Sequence, residues 1–347
     1  MVRAPGAAHA AGQAMTLAGL ALQFLLCALL IGRAGYVLSH SADRLADIHG
    51  WGRGWVGLAL LATVTSLPEL ASGISAVAWV DAPDLAVGDA LGSCVFNLVF
   101  LVVVDALQRR QPMYREASAT HLLSAGFGVV MLGFAALSLL LGARVPVFAH
   151  LGWTSPVMVA LYLLALSAVH RHDNLAQGAA ARGGAPQAAD ARRQWRRFAV
   201  AALVVLLAGT WLPEVADRLA SATGLSRSLV GTLWLAFVTS LPEIAVTLAA
   251  LRLNKLDLAL ANLLGSNLFN MVVLAIDDAF HLRGPLLAQV APVHAGTALT
   301  AIIMTGLVII GLVMRPQGRV LRVASWISVG LVSAYAINAA LVYLASG

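Results

Sequence analysis

The chain has 347 residues, of which 60% are hydrophobic and only 11% charged, with a mean hydropathy of +0.85. A water-soluble domain carries about 25% charged residues, so these proportions exclude a soluble globule and put most of the chain in lipid. The net charge is +6, yet the arginines lie in short segments between apolar runs and form no single basic patch, which excludes a nucleic-acid-binding face.

Within a bilayer every backbone N–H and C=O needs an internal partner, leaving helices or a closed barrel. The apolar runs are continuous, not alternating, and about 20 residues long, enough to cross roughly 30 Å as helix. The expectation is an all-α integral membrane protein with ten transmembrane helices. In chain order they are 14–38, 54–79, 84–107, 118–142, 152–170, 198–216, 228–250, 257–280, 290–313 and 321–345. The first run, from Met15 to Leu38, exceeds a signal-peptide core and reads as a retained span. Pro156 interrupts the fifth and the sixth meets Pro213. Between these two, Arg171–Arg197 is rich in Ala, Gly and Arg and reads as a flexible linker. The expected organisation is thus a first five-helix repeat over 1–170, a linker over 171–197 and a second five-helix repeat over 198–347. Loops after odd-numbered spans hold 16 Lys and Arg residues, and the other side holds 5. By the positive-inside bias both termini lie outside the cell (inner or plasma) membrane and the linker is cytosolic. Cys27 and Cys94 fall inside apolar runs and offer no disulfide framework or metal-binding CxxC pair. Membrane lipid is the expected surrounding, no nucleic acid is a partner, and the oligomeric state stays open with a monomer plausible.

An internal repeat runs through these spans. Val56–Ala71 aligns with Val230–Ala245 at an offset of 174, with 11 of 16 positions identical, including Thr-Ser-Leu-Pro-Glu at Thr65–Glu69 and Thr239–Glu243. At an offset of 173, Gly92-Ser93-Cys94-Val95-Phe96-Asn97 matches Gly265-Ser266-Asn267-Leu268-Phe269-Asn270. Shared apolar bias accounts for scattered Leu and Ala matches, not for matched Pro-Glu, Gly-Ser and Asn. Five spans separate the copies. An odd number makes them cross in opposite directions, as two inverted repeats, the layout of secondary transporters.

Glu69 and Glu243 fall in mid-span, where a charge costs about 2.5–3.5 kcal/mol by insertion scales and usually has a partner. No basic residue lies at comparable depth in these spans, so the simplest partner is a cation. Pro68 and Pro242 break their helices and free the carbonyls of Val64 and Val238 beside each Glu. Thr65, Ser66, Thr239 and Ser240 add hydroxyls; Asn97 and Asn270 add amide oxygens, with Ser93 and Ser266 one turn before them. Carboxylate, carbonyl, hydroxyl and amide oxygens suit Ca²⁺ or Na⁺ rather than zinc or copper. Two carboxylates neutralise one Ca²⁺, two Na⁺ or two protons, which ties the loads into exchange. The metal ions are then cargo, and no cofactor is needed. Structural readings stand beside these: protonated acids bonding a neighbouring helix, proline kinks, asparagine as helix–helix glue, and serines that only let helices approach. Repeat-equivalence of the whole set weighs against them. Asp105, Asp277 and Asp278 lie near span ends, where pairing with Arg109 or His281 is expected, and Asp84 and Asp257 are placed to cap their helices.

The paired Thr-Ser-Leu-Pro-Glu motifs, each followed by Gly-Ser-x-x-x-Asn, resemble the alpha repeats of the Ca²⁺/cation antiporter superfamily, the sodium/calcium exchangers and their prokaryotic relatives. That resemblance implies that Glu69 and Glu243 bind Ca²⁺ with the carbonyls of Thr65 and Thr239. It implies that Ser66, Ser240, Ser93 and Ser266 help hold Na⁺, that Asn97 and Asn270 occupy the centre, and that the first and sixth spans slide across the rest. Three features depart from the pattern. Both central positions are Asn where Na⁺ exchangers often have one Asp. Gly88-Asp89 and Ala261-Asn262 replace the usual Gly-Asn. Cys94 stands where Asn is usual. The departures keep H⁺ open as counter-ion, and Mn²⁺ or Mg²⁺ would also accept these oxygens. The function expected is an antiporter exchanging Ca²⁺ for Na⁺, with H⁺-coupled exchange as alternative and a passive cation channel as a remote one. No HExxH, GxSxG or nucleophile–base pair suggests an enzyme.

Overall fold

A computed structural model describes residues 7–49, 61–108, 113–118, 120–144, 146–176, 188–316, 318, 320 and 324–345. Its long helices are α1 (Ala7–His49), α4 (Pro83–Leu107), α5 (Thr120–Leu141), α6 (Thr154–Ala176), α7 (Ala188–Thr223), α10 (Leu256–Phe280), α11 (Val293–Met314) and α12 (Trp326–Leu344). Between them lie two broken helices. Short α2 (Ala62–Thr65) meets α3 (Leu67–Ala78) at Ser66. Arg227–Leu229 and a π-helical stretch, Val230–Leu235, lead into α8 (Ala236–Thr239), which meets α9 (Leu241–Arg252) at Ser240. A two-residue hairpin, β1 (Val147–Phe148) with β2 (Leu151–Gly152), links α5 to α6.

Eight helices among the described residues are long and apolar enough to cross a membrane, and the bent pair Arg227–Thr239 with Leu241–Arg252 passes the same test as one span, its halves meeting at 42°. The second expected span, 54–79, is described only from residue 61, as α2 and α3. Residues 321–323 of the tenth also lie outside the described residues.

Two expected boundaries are corrected. α1 runs on to His49, beyond the expected end at 38. α7 spans 36 residues straight through Pro213, whereas 198–216 was expected; neighbouring helices in a bundle re-satisfy the backbone a proline frees. Consequently both ends of the 171–197 segment are helical, in α6 up to Ala176 and in α7 from Ala188. Ala and Arg are strong helix formers and continue the adjoining spans. Residues 177–187 lie outside the described residues.

The core sits on α10 and α4. In their most apolar windows 89% and 61% of residues are buried, against 17% in α1, whose Leu22, Leu25 and Leu29 face outward. α1 and α7 pack together and share a small cluster with the broken helices, built on Leu38, Ala42, Val64, Val205 and Val246. Each leans on a proline of the opposite motif copy. Gly35 of α1 sits on the Pro242 ring, and Gly209 of α7 sits on Pro68 and Ala71. A Cβ at Gly209 would stand 3.0 Å from the Ala71 Cβ, so glycine is what lets these helices approach.

Repeat-equivalent acids tie the halves together reciprocally. Asp84 and His294 Nε2 are hydrogen-bonded at 3.0 Å, and Asp257 and His121 Nε2 at 2.9 Å. Asp84 also accepts from the Ala291 N–H at 2.7 Å, and Asp257 from the Ser118 N–H at 2.9 Å. These acids therefore anchor the start of a distant helix; neither caps its own. Asp105 accepts from the N–H groups of Met113 and Ser325 and from Ser328 Oγ. Asp278 accepts from the N–H groups of Gly152 and Leu286 and from Ser155 Oγ. The expected pairing of Asp278 with His281 is replaced by backbone tethering, and His281 bonds Gln289 instead. Arg109 lies outside the described residues.

Candidate ion-binding site

The two helix breaks put the motif copies face to face. Ser66 has φ −90° and ψ 15°, and Ser240 φ −79° and ψ 4°, just outside the helical region and immediately before Leu-Pro-Glu. Each proline occupies the first turn of the helix that restarts, where its missing N–H has no ladder bond to break. Glu69 and Glu243 therefore also lie in first turns, at helix N-termini that favour negative charge.

Hydroxyls cross between the copies. Ser66 Oγ donates to Glu243 Oε1 at 2.9 Å, and Ser240 Oγ donates to Glu69 Oε1 at 3.4 Å. Each Glu also accepts from the serine of its own following helix, Glu69 from Ser93 at 3.4 Å and Glu243 from Ser266 at 3.1 Å. Thr65 and Ser266 hydroxyls meet at 3.3 Å, as do Thr239 and Ser93 at 3.4 Å. The two halves thus repeat one bonding pattern with copies exchanged. All eight of these residues are at most 1% exposed.

Glu69 Oε2 and Glu243 Oε2 have no hydrogen-bond partner among the described residues, and the ion pairs found there involve other acids. Glu69 lies in the field of Glu243. Two buried carboxylates, each with one oxygen held and one free, form a vessel for positive charge.

The asparagines divide. Asn97 Nδ2 donates to Asn267 Oδ1 at 3.0 Å, and Asn267 Nδ2 donates to the Cys94 carbonyl at 3.2 Å. Asn270 is fully buried, and neither of its amide atoms has a hydrogen-bond partner among the described residues. The repeat therefore places Asn97 and Asn270 at matched positions, while the structure gives Asn97 a fixed orientation and leaves Asn270 open.

Three polar residues at the site were not singled out as ligands from the sequence. Asn267 is one, standing opposite Cys94 in the repeat. Asn262 donates to the Glu243 carbonyl and to Thr247 Oγ1, both at 3.2 Å, behind the motif. Asp89 accepts from Thr239 Oγ1 at 2.8 Å and is 1% exposed. The signal for Asp89 and Asn267 was their departure from repeat symmetry. Glu214, which has no acidic repeat partner, pairs with Arg218 on the surface.

The sequence profile described as sodium/calcium exchanger protein matches residues 19–170 and 194–344. The chain belongs to this family. Among its relatives, the inner membrane protein YrbG of Escherichia coli (strain K12) is 28% identical over 236 residues, 63% of this chain and 66% of that protein. The putative antiporter CaxA of Alkalimonas amylolytica is 31% identical over 226 residues, 62% of this chain and 66% of that protein. The chain thus spans just under two thirds of the length of either. Among solved structures, the sodium-calcium exchanger NCX_Mj superposes with a TM-score of 0.63 at 20% identity, covering 92% of this chain and 97% of that one. A second structure of the same exchanger gives 0.64 over 93% and 99%. The fold is shared with that exchanger. This member of the sodium/calcium exchanger family is a multi-pass integral membrane protein.

Proposed function

We propose that the protein is a secondary antiporter that exchanges Ca²⁺ for Na⁺ across the cell membrane by alternating access. One observation carries the reading: Glu69 and Glu243 are buried together among hydroxyls, each with a free carboxylate oxygen and without a basic partner among the described residues. In this role the two carboxylates hold Ca²⁺ with the carbonyls of Thr65 and Thr239. Ser66, Ser240, Ser93 and Ser266 serve Na⁺, and Asn97 and Asn270 serve the centre. Hard oxygen donors with two compensating charges match either one Ca²⁺ or its monovalent replacements. Ten spans in two inverted five-helix repeats, 1–170 and 198–347, would carry the site, with the 171–197 segment cytosolic and both termini outside. Sliding of α1 and α7 over the glycine–proline contacts would open it to each side in turn.

H⁺-coupled exchange is the second reading, favoured by the neutral pair Asn97 and Asn270. The deciding experiment is Ca²⁺ uptake into proteoliposomes driven first by a Na⁺ gradient and then by a pH gradient. Uptake with Na⁺ alone is expected. Uptake with the pH gradient alone moves the assignment to H⁺. Ca²⁺ flux with neither gradient nor exchange partner makes the protein a channel.

A further inference from the structure

Beside the central pair, two more acids are buried without an ion-pair partner among the described residues. Asp89 on α4 is 1% exposed and Asp277 on α10 is 0% exposed. Asp89 Oδ1 is occupied by Thr239, but Asp89 Oδ2, both oxygens of Asp277 and the Oγ of Ser72 have no hydrogen-bond partner among the described residues. These open groups meet consecutive residues of α3. Ser72 lies against the Asp89 carboxyl without completing a hydrogen bond. Gly73 abuts Asp277, and a side chain there would collide with both carboxyl oxygens. Asp277 lies in the fields of Asp89 and Asp278. The Asp278 carboxylate is already engaged by Gly152, Ser155 and Leu286, so only Asp277 is left open.

This cluster adjoins the central site. Gly73 is one helical turn beyond Glu69 on α3. A chain of contacts joins the two: Glu69 Oε1 to Ser93 Oγ at 3.4 Å, Ser93 Oγ to Thr239 Oγ1 at 3.4 Å, and Thr239 Oγ1 to Asp89 Oδ1 at 2.8 Å.

Only one half of the molecule carries it. The repeat counterparts of Ser72, Gly73, Asp89 and Asp277 are Val246, Thr247, Asn262 and Val104. There Asn262 donates to Thr247 Oγ1 at 3.2 Å, and no acid is present. The same framework is neutral and closed on one side, acidic and open on the other. Two unpaired carboxylates in a water-excluded interior require a compensating charge, which one monovalent cation and one retained proton supply together. The four free oxygens fall short of the six to eight that Ca²⁺ takes.

We propose that Asp89, Asp277 and Ser72 form a second cation site beside the Glu69–Glu243 centre, that it takes a hard monovalent cation such as Na⁺, and that Gly73 keeps it open. The proposal rests on the chain being a cation exchanger, not on Ca²⁺ being its cargo. The test is equilibrium binding of ²²Na⁺ to the purified full-length protein. In the Glu69→Gln/Glu243→Gln variant a single saturable Na⁺ site is expected to remain. It should vanish on adding Asp277→Asn, and equally on adding Ser72→Val, Gly73→Thr, Asp89→Asn and Asp277→Val together, which installs the residues of the other half. Absence of residual binding, meaning that the pair holds only a proton, overturns the proposal, as does residual binding that survives both changes. Should these variants fail to fold, the wild-type protein decides. With saturating ⁴⁰Ca²⁺ at the centre, one ²²Na⁺ should stay bound, and complete displacement overturns the second site. Loss of all Ca²⁺-driven flux with this Na⁺ site intact would instead defeat the Ca²⁺ assignment alone.

Discussion

Ser66 Oγ stands 2.9 Å from Glu243, whereas the equivalent Ser240 Oγ stands 3.4 Å from Glu69. A hydrogen bond to a charged group contributes about 1.5–3 kcal/mol, so Ser66→Ala should weaken ⁴⁵Ca²⁺ binding roughly 10- to 100-fold. Ser240→Ala should cost less, because its bond is longer, while each carboxylate oxygen keeps one further serine donor, Ser93 or Ser266. Equal losses would contradict the asymmetry. Glu69→Gln and Glu243→Gln should each abolish Ca²⁺ uptake in proteoliposomes while leaving the protein folded, since a neutral amide is easier to bury than an unpaired carboxylate. Uptake at the wild-type rate in either would remove the two carboxylates from the mechanism. The ten candidate residues were legible because duplication marks them twice and because Glu in mid-span demands a reason. Their pairing was not. Spacing along one helix puts Ser66 one turn before Glu69, which suggests a partner within the same copy, and only the break at Ser66 sends its hydroxyl to Glu243. Asp89 was visible only as an irregularity, since nothing in a single sequence says that an acid in an apolar run faces Thr239 rather than a neighbouring helix.

α1 and α7 meet the prolines of the broken helices at glycines, Gly35 on Pro242 and Gly209 on Pro68 and Ala71. The proposed sliding has to pass over these contacts. Gly35→Ala puts a Cβ onto the Pro242 ring, and Gly209→Ala brings one to 3.2 Å from the Pro68 carbonyl oxygen. Each change should slow exchange at least tenfold while Ca²⁺ binding at equilibrium shifts far less, a split that flux and binding measured on the same preparation would reveal. Unchanged flux in both variants would place the moving contact elsewhere. Asp278 belongs to the static frame: it receives two backbone N–H groups and Ser155 Oγ. Asp278→Ala strands those donors at about 1–3 kcal/mol each, so a clear fall in unfolding temperature in detergent is expected, larger than for Glu214→Ala on the surface. Helix positions followed from apolar runs, but their ends did not. Ala- and Arg-rich flanks extend α7 back to Ala188, and a bundle tolerates Pro213 inside it.

At the scale of the whole molecule, reciprocity is the recurring feature: Ser66 with Glu243 and Ser240 with Glu69, Asp84 with His294 and Asp257 with His121, Gly35 with Pro242 and Gly209 with Pro68. Exchange of partners between copies is what a two-fold relation between halves produces. Whether that relation inverts the halves depends on parity, because an odd number of crossings between Glu69 and Glu243 reverses direction and an even number does not. The charge count bears on the same parity, since 16 of the loop Lys and Arg residues fall on one side only if the second span, 54–79, is counted as a crossing. Labelling resolves it. Cys27 and Cys94 are buried and free of disulfides, so they should stay silent to a membrane-impermeant maleimide. A cysteine introduced as Ala179→Cys should then react only from the cytosolic face, and one introduced as Ser346→Cys only from the outside. Both reacting from one face would make the number of crossings after the 171–197 segment even, and the second half could no longer be a five-helix repeat.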